Sequence, residues 1–240
     1  MSNVVDFHCH VLPGIDDGSS SVAESLKMLK RMANQGIRFV IATPHFYPQY
    51  DNPDVFLRKR KESEILLRQA MQKYSDLPKM QVGAEVHFFH GMSGSDALQG
   101  LTIGGKRCIL IEMPECRWTE NMYRELEEIS VRRGLTPIVA HVDRYISPFR
   151  THGIPDRLAE LPVLVQANAS FFLNPATRSM ALKLLRQDRI HLLGSDSHNL
   201  SSRPPKLGEA VEVIRDRLGS EPLARIAYYQ KELLWQGNAE

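Results

Sequence analysis

The sequence predicts an α/β fold in which a parallel, closed or nearly closed sheet is ringed by helices, and two observations carry that prediction. Short β-branched or aliphatic runs recur along the 240 residues, each followed by an amphipathic, charged stretch of helical length, which is the rhythm of βα units. Nearly every run also leads into a histidine or a carboxylate. In a parallel barrel all strand C-termini open on one face, so such side chains converge there although they are far apart in sequence.

The first run, Val4 to Cys9, contains His8-x-His10, and strand alternation puts both imidazoles on one face with Cys9 on the other. Ser21 to Gln35 then spaces Leu26, Met28, Leu29 and Met32 as a helix that stops at Gly36. Phe39 to Thr43 leads through Pro44 to His45, and Asn52-Pro53 opens a helix reaching about Tyr74. The third run, Met80 to Val86, holds Glu85. Gly100 to Arg107 almost spells a phosphate-binding loop. Arg107, however, stands where a magnesium-binding hydroxyl belongs, and a strand rather than a helix follows, so the segment reads as a hairpin turn. Cys108 to Met113 holds Glu112 and is followed by a helix over Thr119 to Arg133. Pro137 to Ala140 leads to His141, and Val163 to Ala167 precedes a helix over Pro175 to Arg186. Ile190 to Leu193 leads to Asp196-x-His198, which repeats the spacing of the first pair, and helices over Pro205 to Leu218 and Glu221 to Leu234 follow. No linker, low-complexity stretch or repeat divides the chain, so residues 1–240 read as one domain.

Composition excludes several function classes. The 30 basic and 28 acidic residues are interspersed and leave a net charge of +2, which supports neither a nucleic-acid tract nor a membrane-seeking helix. No apolar run approaches the roughly 18 residues of a membrane span, and no export signal opens the chain. Cys9, Cys108 and Cys116 form no Cys-x-x-Cys pair, which points to a reduced, cytoplasmic protein rather than a disulfide scaffold. Thiol-based phosphatase chemistry needs Cys-x5-Arg, and the residues six past each cysteine are Ile15, Pro114 and Met122.

With Asp17 added, the set is His8, His10, His45, His141, His198, Asp17, Asp196, Glu85 and Glu112. That exceeds what one ion can use, so two or three divalent cations are implied. Mixed imidazole and carboxylate shells suit manganese, iron or zinc. Helix capping would account for one or two of these positions, but not for nine.

Taken in order, His8-Cys9-His10, Leu-Pro-x-x-Asp-Asp17-Gly, Thr-Pro-His45, Gly-Ala-Glu85-Val, Leu-Ile-Glu112-Met-Pro, Ala-His141-Val-Asp-Arg144-Tyr and Ser-Asp196-Ser-His198 resemble the polymerase-and-histidinol-phosphatase (PHP) superfamily. Within it they are most similar to the bacterial manganese-dependent protein tyrosine phosphatases of capsule and exopolysaccharide systems. The resemblance implies a distorted seven-stranded parallel (β/α) barrel, a trinuclear centre with manganese foremost, and a phosphotyrosine protein substrate in the tyrosine-rich tail of a bacterial tyrosine kinase. It implies Glu85 as a bridging ligand with His8, His10 and Asp196 around one metal, Asp17, His45 and His198 around a second, and Glu112 with His141 at a third. Arg144 and Arg203 fall where the family binds phosphate. A phosphatase of a small metabolite such as histidinol phosphate, and a non-catalytic PHP scaffold, are the other functions compatible with these residues.

Overall fold

The computed structural model describes residues 4–146 and 151–235. Nine short strands are present among them: β1 (Asp6–Cys9), β2 (Phe39–Ala42), β3 (His45–Phe46), β4 (Lys79–Val82), β5 (Glu85–His87), β6 (Cys108–Glu112), β7 (Thr136–Val139), β8 (Leu164–Asn168) and β9 (Leu192–Gly194). All pair in parallel, β1-β2-β4 in a three-stranded sheet and β3-β5-β6-β7-β8-β9 in a six-stranded sheet that curls as a half-barrel. The expectation of seven strands in one barrel is therefore corrected to nine strands in two sheets. One expected run, Met80 to Val86, is divided at Gly83-Ala84, and the two-residue β3 lies past Pro44, beyond the expected run of Phe39 to Thr43. Proline has no N–H to give to a ladder, and glycine weakens a strand interior. A lone parallel bridge from Cys9 to Ser197 ties the edge of β1 to the segment after β9.

The helices follow from their caps and apolar faces. Ser21 accepts the Glu24 N–H at the start of α1 (Val22–Asn34), and Asn52 accepts from Asp54 and Val55 at the start of α2 (Pro53–Met71), which satisfies amide donors that a helix start leaves free. Four-residue α3 (Leu98–Leu101) and a 3-10 turn at Ile103–Gly105 occupy the glycine-rich segment. The hairpin reading of that segment fails because the flanking strands β5 and β6 run parallel and must be joined by a crossover. Then come α4 (Glu120–Arg133), α5 (Ile154–Leu158), α6 (Ala169–Leu173), α7 (Arg178–Arg186), α8 (Leu207–Leu218) and α9 (Glu221–Trp235). No described helix is long and apolar enough to cross a membrane.

One large apolar cluster packs the helices onto the strands. A smaller one gathers Phe7, Ile41, Leu110, Ile138 and Leu192 from five strands, with Leu234 of α9. Phe7 precedes His8 by one position, Leu110 precedes Glu112 by two and Ile138 precedes His141 by three, so this cluster forms a dry floor under the strand ends. In β1, Asp6 faces Val40 while Cys9 faces Ala42, three steps against two. Such a bulge bends the strand and re-aims its side chains.

Gly194 lies where β9 crowds β1: a Cβ there would sit 2.5 Å from the His8 Cβ and 2.8 Å from Gln166 Nε2. Gly194→Ala should therefore destabilise the protein by about 1–3 kcal/mol, which lowers Tm by roughly 2–4 °C per kcal/mol at this size. Gly94→Ala, where a Cβ meets nothing within 4 Å, should leave Tm in place. Equal melting of the two variants would contradict this packing.

Candidate metal centre

The nine strand-end residues gather at one mouth. His8, His10, Glu85 and Asp196 form one group of converging ligand atoms, and all four are buried. His10, Asp17, His45 and His198 form a second, and His45, Glu85 and Glu112 a third. The expected grouping differs in detail: His10 joins the second group, and His45 stands in the third where His141 was expected. His141 lies beside that group, its Nε2 2.6 Å from Glu85 Oε1 and 3.5 Å from Glu112 Oε1. Asp17 is 66% exposed, on the solvent side.

Backbone conformation delivers these groups. His141 and Asp196 take positive φ, 31° and 50°, uncommon for residues with a Cβ and typical of strained functional positions. The Asp-Asp-Gly turn folds back onto β1: Ser19 N–H donates to the His10 carbonyl at 3.0 Å. A Cβ on Gly18 would lie 2.4 Å from that carbonyl oxygen, so only glycine fits.

Hydrogen bonds set the imidazole orientation. His8 Nδ1 lies 3.2 Å from Gln166 Oε1, His10 Nδ1 2.8 Å from Asp16 Oδ2, and His198 Nδ1 3.0 Å from the Asp196 carbonyl. These partners only accept, so each Nδ1 carries a proton and each Nε2 turns inward, where the neutral ring offers its lone pair, the arrangement of metal-ligating histidines. His141 Nδ1 lies 3.2 Å from the Tyr145 hydroxyl, which also accepts the Met113 N–H. His141 Nε2 pairs with Glu85 Oε1, but other inward atoms do not satisfy each other. His8 Nε2 and His10 Nε2 stand 3.1 Å apart, and two lone pairs share no proton. Glu85 Oε2, Asp196 Oδ1, His198 Nε2 and His45 Nδ1 are buried without a hydrogen-bond partner. Since buried polar atoms are nearly always paired, converging orphan nitrogens and carboxylate oxygens are what a divalent cation would satisfy.

Electrostatics point the same way. Burial alone would raise the Glu85 carboxyl, but the His8, His10 and His141 imidazoles hold it well below the usual carboxylate range. Burial likewise opposes the charge on Glu112, yet hydrogen bonds from His141 and His87 bring it down to about 2. Burial lowers His198 to about 4, helped by the neighbouring His10, which favours the neutral imidazole that binds metal.

Both arginines stand on the rim. Arg144 donates to Glu112 Oε1 at 3.1 Å and Asp196 Oδ2 at 2.8 Å, and Arg203 Nη2 lies 2.7 Å from the same Asp196 oxygen. Asn168 also donates to Asp196 Oδ2, at 2.9 Å. That oxygen is thus occupied, and the bare Oδ1 faces His8 and His10 at 3.5 Å.

Three supporting residues escaped the sequence reading. Asp16, passed over for its neighbour Asp17, also accepts the N–H groups of Gly18 and His45, and its carboxyl is brought down to about 2 by His10 against the cost of burial. Gln166 and Asn168 sit on β8, whose run ends in no ligand-type side chain. Gln166 Oε1 also accepts the His141 N–H, and Gln166 Nε2 donates to Asn168. Two amides in a buried strand were the available signal.

A family model for capsular polysaccharide synthesis proteins, CpsB/CapC, matches residues 4–235. The chain is 28% identical over 228 residues to the tyrosine-protein phosphatase YwqE of Bacillus subtilis, covering 91% of this chain and 86% of that protein. It is 26% identical over 233 residues to the tyrosine-protein phosphatase CpsB of Streptococcus pneumoniae, covering 91% and 92%. A solved structure from work on YwqE and CpsB, described as unique metal-dependent tyrosine phosphatases, superposes with a TM-score of 0.82 at 23% identity, covering 96% of this chain and 94% of the other.

Asp16→Asn should keep the fold and lose the charge that orients His10. Metal affinity should fall about 10- to 100-fold, the usual cost of such a partner, in a titration of metal-free protein with manganese. An unchanged binding curve would reduce Asp16 to a turn residue.

Proposed function

The chain belongs to the capsular polysaccharide synthesis CpsB/CapC family, and from that premise we propose that it is a metal-dependent protein-tyrosine phosphatase. Its cofactors in this reading are two or three divalent ions, manganese first, with iron or zinc as the other fits to the donor set. The substrate is phosphotyrosine protein, with the tyrosine-rich tail of a bacterial tyrosine kinase as the physiological partner. The three cysteines are free, which supports a cytoplasmic setting.

The observation that carries this reading is the set of buried, unpartnered nitrogen and oxygen atoms beneath two rim arginines. His8, His10, Glu85 and Asp196 would hold one ion, Asp17, His45 and His198 with His10 a second, and Glu112 with His141 and Glu85 a third. Divalent cations there would lower the pKa of water toward 7 and draw charge from a phosphate. Arg144 and Arg203 are 28% and 36% exposed, open enough to turn their forks to phosphate oxygens. Asp16, Gln166, Tyr145 and the Asp196 carbonyl keep four imidazoles aimed. The two buried thiols have no place in this chemistry: burial pushes the Cys108 thiol up to about 12 and Cys9 well above its usual range. A phenol, with a pKa near 10, leaves more readily than an alkoxide, so phosphotyrosine suits the site better than phosphoserine.

Chelation should abolish hydrolysis of a phosphotyrosine peptide and manganese should restore it, with phosphoserine peptide and histidinol phosphate much slower on the same sample. A preference of about 100-fold or more for histidinol phosphate, equivalent to about 2.7 kcal/mol in transition-state binding, would move the chain to metabolite chemistry.

Arg144→Ala and Arg203→Ala should each lose about 30- to 1000-fold in kcat/KM, the scale of one lost transition-state contact, while elemental analysis finds the metal content unchanged. Wild-type kinetics in both variants would leave the arginines as partners of Glu112 and Asp196 only.

A further inference from the structure

Three hollows open around the carboxylate and imidazole cluster, and they differ in which residues line them. The largest, about 920 Å3, borders Arg144 and none of the nine strand-end residues. A small one of about 190 Å3 is bordered by Asp196, Arg203, Ser170, Ser202 and Lys206. The third, about 380 Å3, is lined by Asp17 and His45 of the cluster together with Ile15, Val55, Phe56 and Tyr47. It alone of the three has no arginine among its lining residues.

We propose that this third hollow is the slot for the phenol ring of the substrate, and that Tyr47 and Val55 determine the preference for phosphotyrosine. The proposal rests on the phosphatase reading and adds to it where the leaving group sits. In an in-line displacement the oxygen of water bonds to phosphorus as the P–O bond to the ring breaks. The electron pair stays on the phenol oxygen, which then takes up a proton. Arginine forks hold the oxygens that do not leave, so the ring must exit on a side that no arginine occupies. Arg144 stands on Glu112 and Asp196, and Arg203 stands on Asp196 with its other fork nitrogen 3.9 Å from Asp17 Oδ2, which leaves the side of His45.

The walls suit an aromatic ring. Tyr47 lies flat along the His45 ring, with centroids 5.1 Å apart and an interplanar angle of 21°. Phe56 is buried and held edge-on by Phe46 at 5.1 Å, so the floor is rigid. Two of the three acidic groups at the slot are already engaged: Asp16 with His10 and the His45 N–H, Asp51 with the Tyr47 N–H; the third is Asp17 of the cluster. Lys59 is the cationic residue among the lining groups. The slot volume lies at the small end of ligand pockets, enough for one ring. A phosphoserine would have to bring peptide backbone into it.

The test uses manganese-loaded full-length protein, a phosphotyrosine peptide as substrate, and inorganic phosphate as competitive inhibitor, since phosphate reads the metals and arginines without the ring. Val55→Trp fills the slot without replacing a strand-end residue. KM for the peptide should rise about 10-fold or more, on the scale of a lost aromatic contact, while the Ki for phosphate and the metal content stay as in wild type. Tyr47→Ala should raise KM likewise, and Tyr47→Phe should restore most of the loss. An unchanged KM in both Val55→Trp and Tyr47→Ala, or a phosphate Ki that rises in step with KM, would overturn the slot and leave the phosphatase reading standing. No hydrolysis by wild type would remove both.

Discussion

The carboxylate of Glu85 is the constraint around which the mouth of the sheet is arranged. It is almost wholly buried, with His8 and His45 nitrogens at 3.0 and 3.1 Å, His10 at 3.3 Å and His141 at 2.6 Å. An isolated carboxylate in such a place would cost many kcal/mol, so positive charge must be supplied nearby. Protons on the imidazoles serve this in metal-free protein: the Glu112 and Glu85 carboxylates raise His141 to about 9 although burial opposes it. Divalent ions would do so with the imidazoles neutral, and would occupy the orphan atoms that protons leave unpaired.

Much irregularity in the fold serves that arrangement. The bulge in β1, the break at Pro44 before His45, the Gly83-Ala84 break before Glu85 and the positive φ of His141 and Asp196 all lie within a few residues of a cluster member. Regular strands would hold these side chains to strict alternation. The breaks let neighbouring strands aim their last side chains at common points, and the ladder resumes across them: Gly83 N–H donates to Ala42, and Glu85 N–H to Pro44.

The sequence was legible where residue type itself carries the signal. Histidines and carboxylates after apolar runs are visible without coordinates, and so are long helices with caps such as Ser21 and Asn52. Asp16 could not be separated from Asp17, because the choice depends on which carboxylate reaches His10 Nδ1 across the turn. Gln166 and Asn168 act by hydrogen bonds to partners on other strands, which no local pattern encodes. The strand count was missed because a break at proline or glycine is a matter of ladder hydrogen bonds, not of hydrophobicity. Helices α3, α5 and α6 have four or five residues, too few for a 3.6-residue period to show. The pairing of Arg144 with Glu112 and Asp196 likewise depends on three strands meeting.

The central claim is that this buried cluster is completed by divalent cations, and thermal unfolding tests it without reference to any substrate. Chelator-treated protein should melt well below the manganese-loaded form, with Tm climbing as manganese is titrated in, because a ligand bound only by the folded state stabilises it in proportion to the logarithm of its concentration over Kd. The effect should vanish in His8→Ala with Asp196→Ala. A melting temperature indifferent to manganese in wild-type protein would mean that protons and arginines alone hold Glu85 and Asp196 in place, and the account of the centre would be wrong.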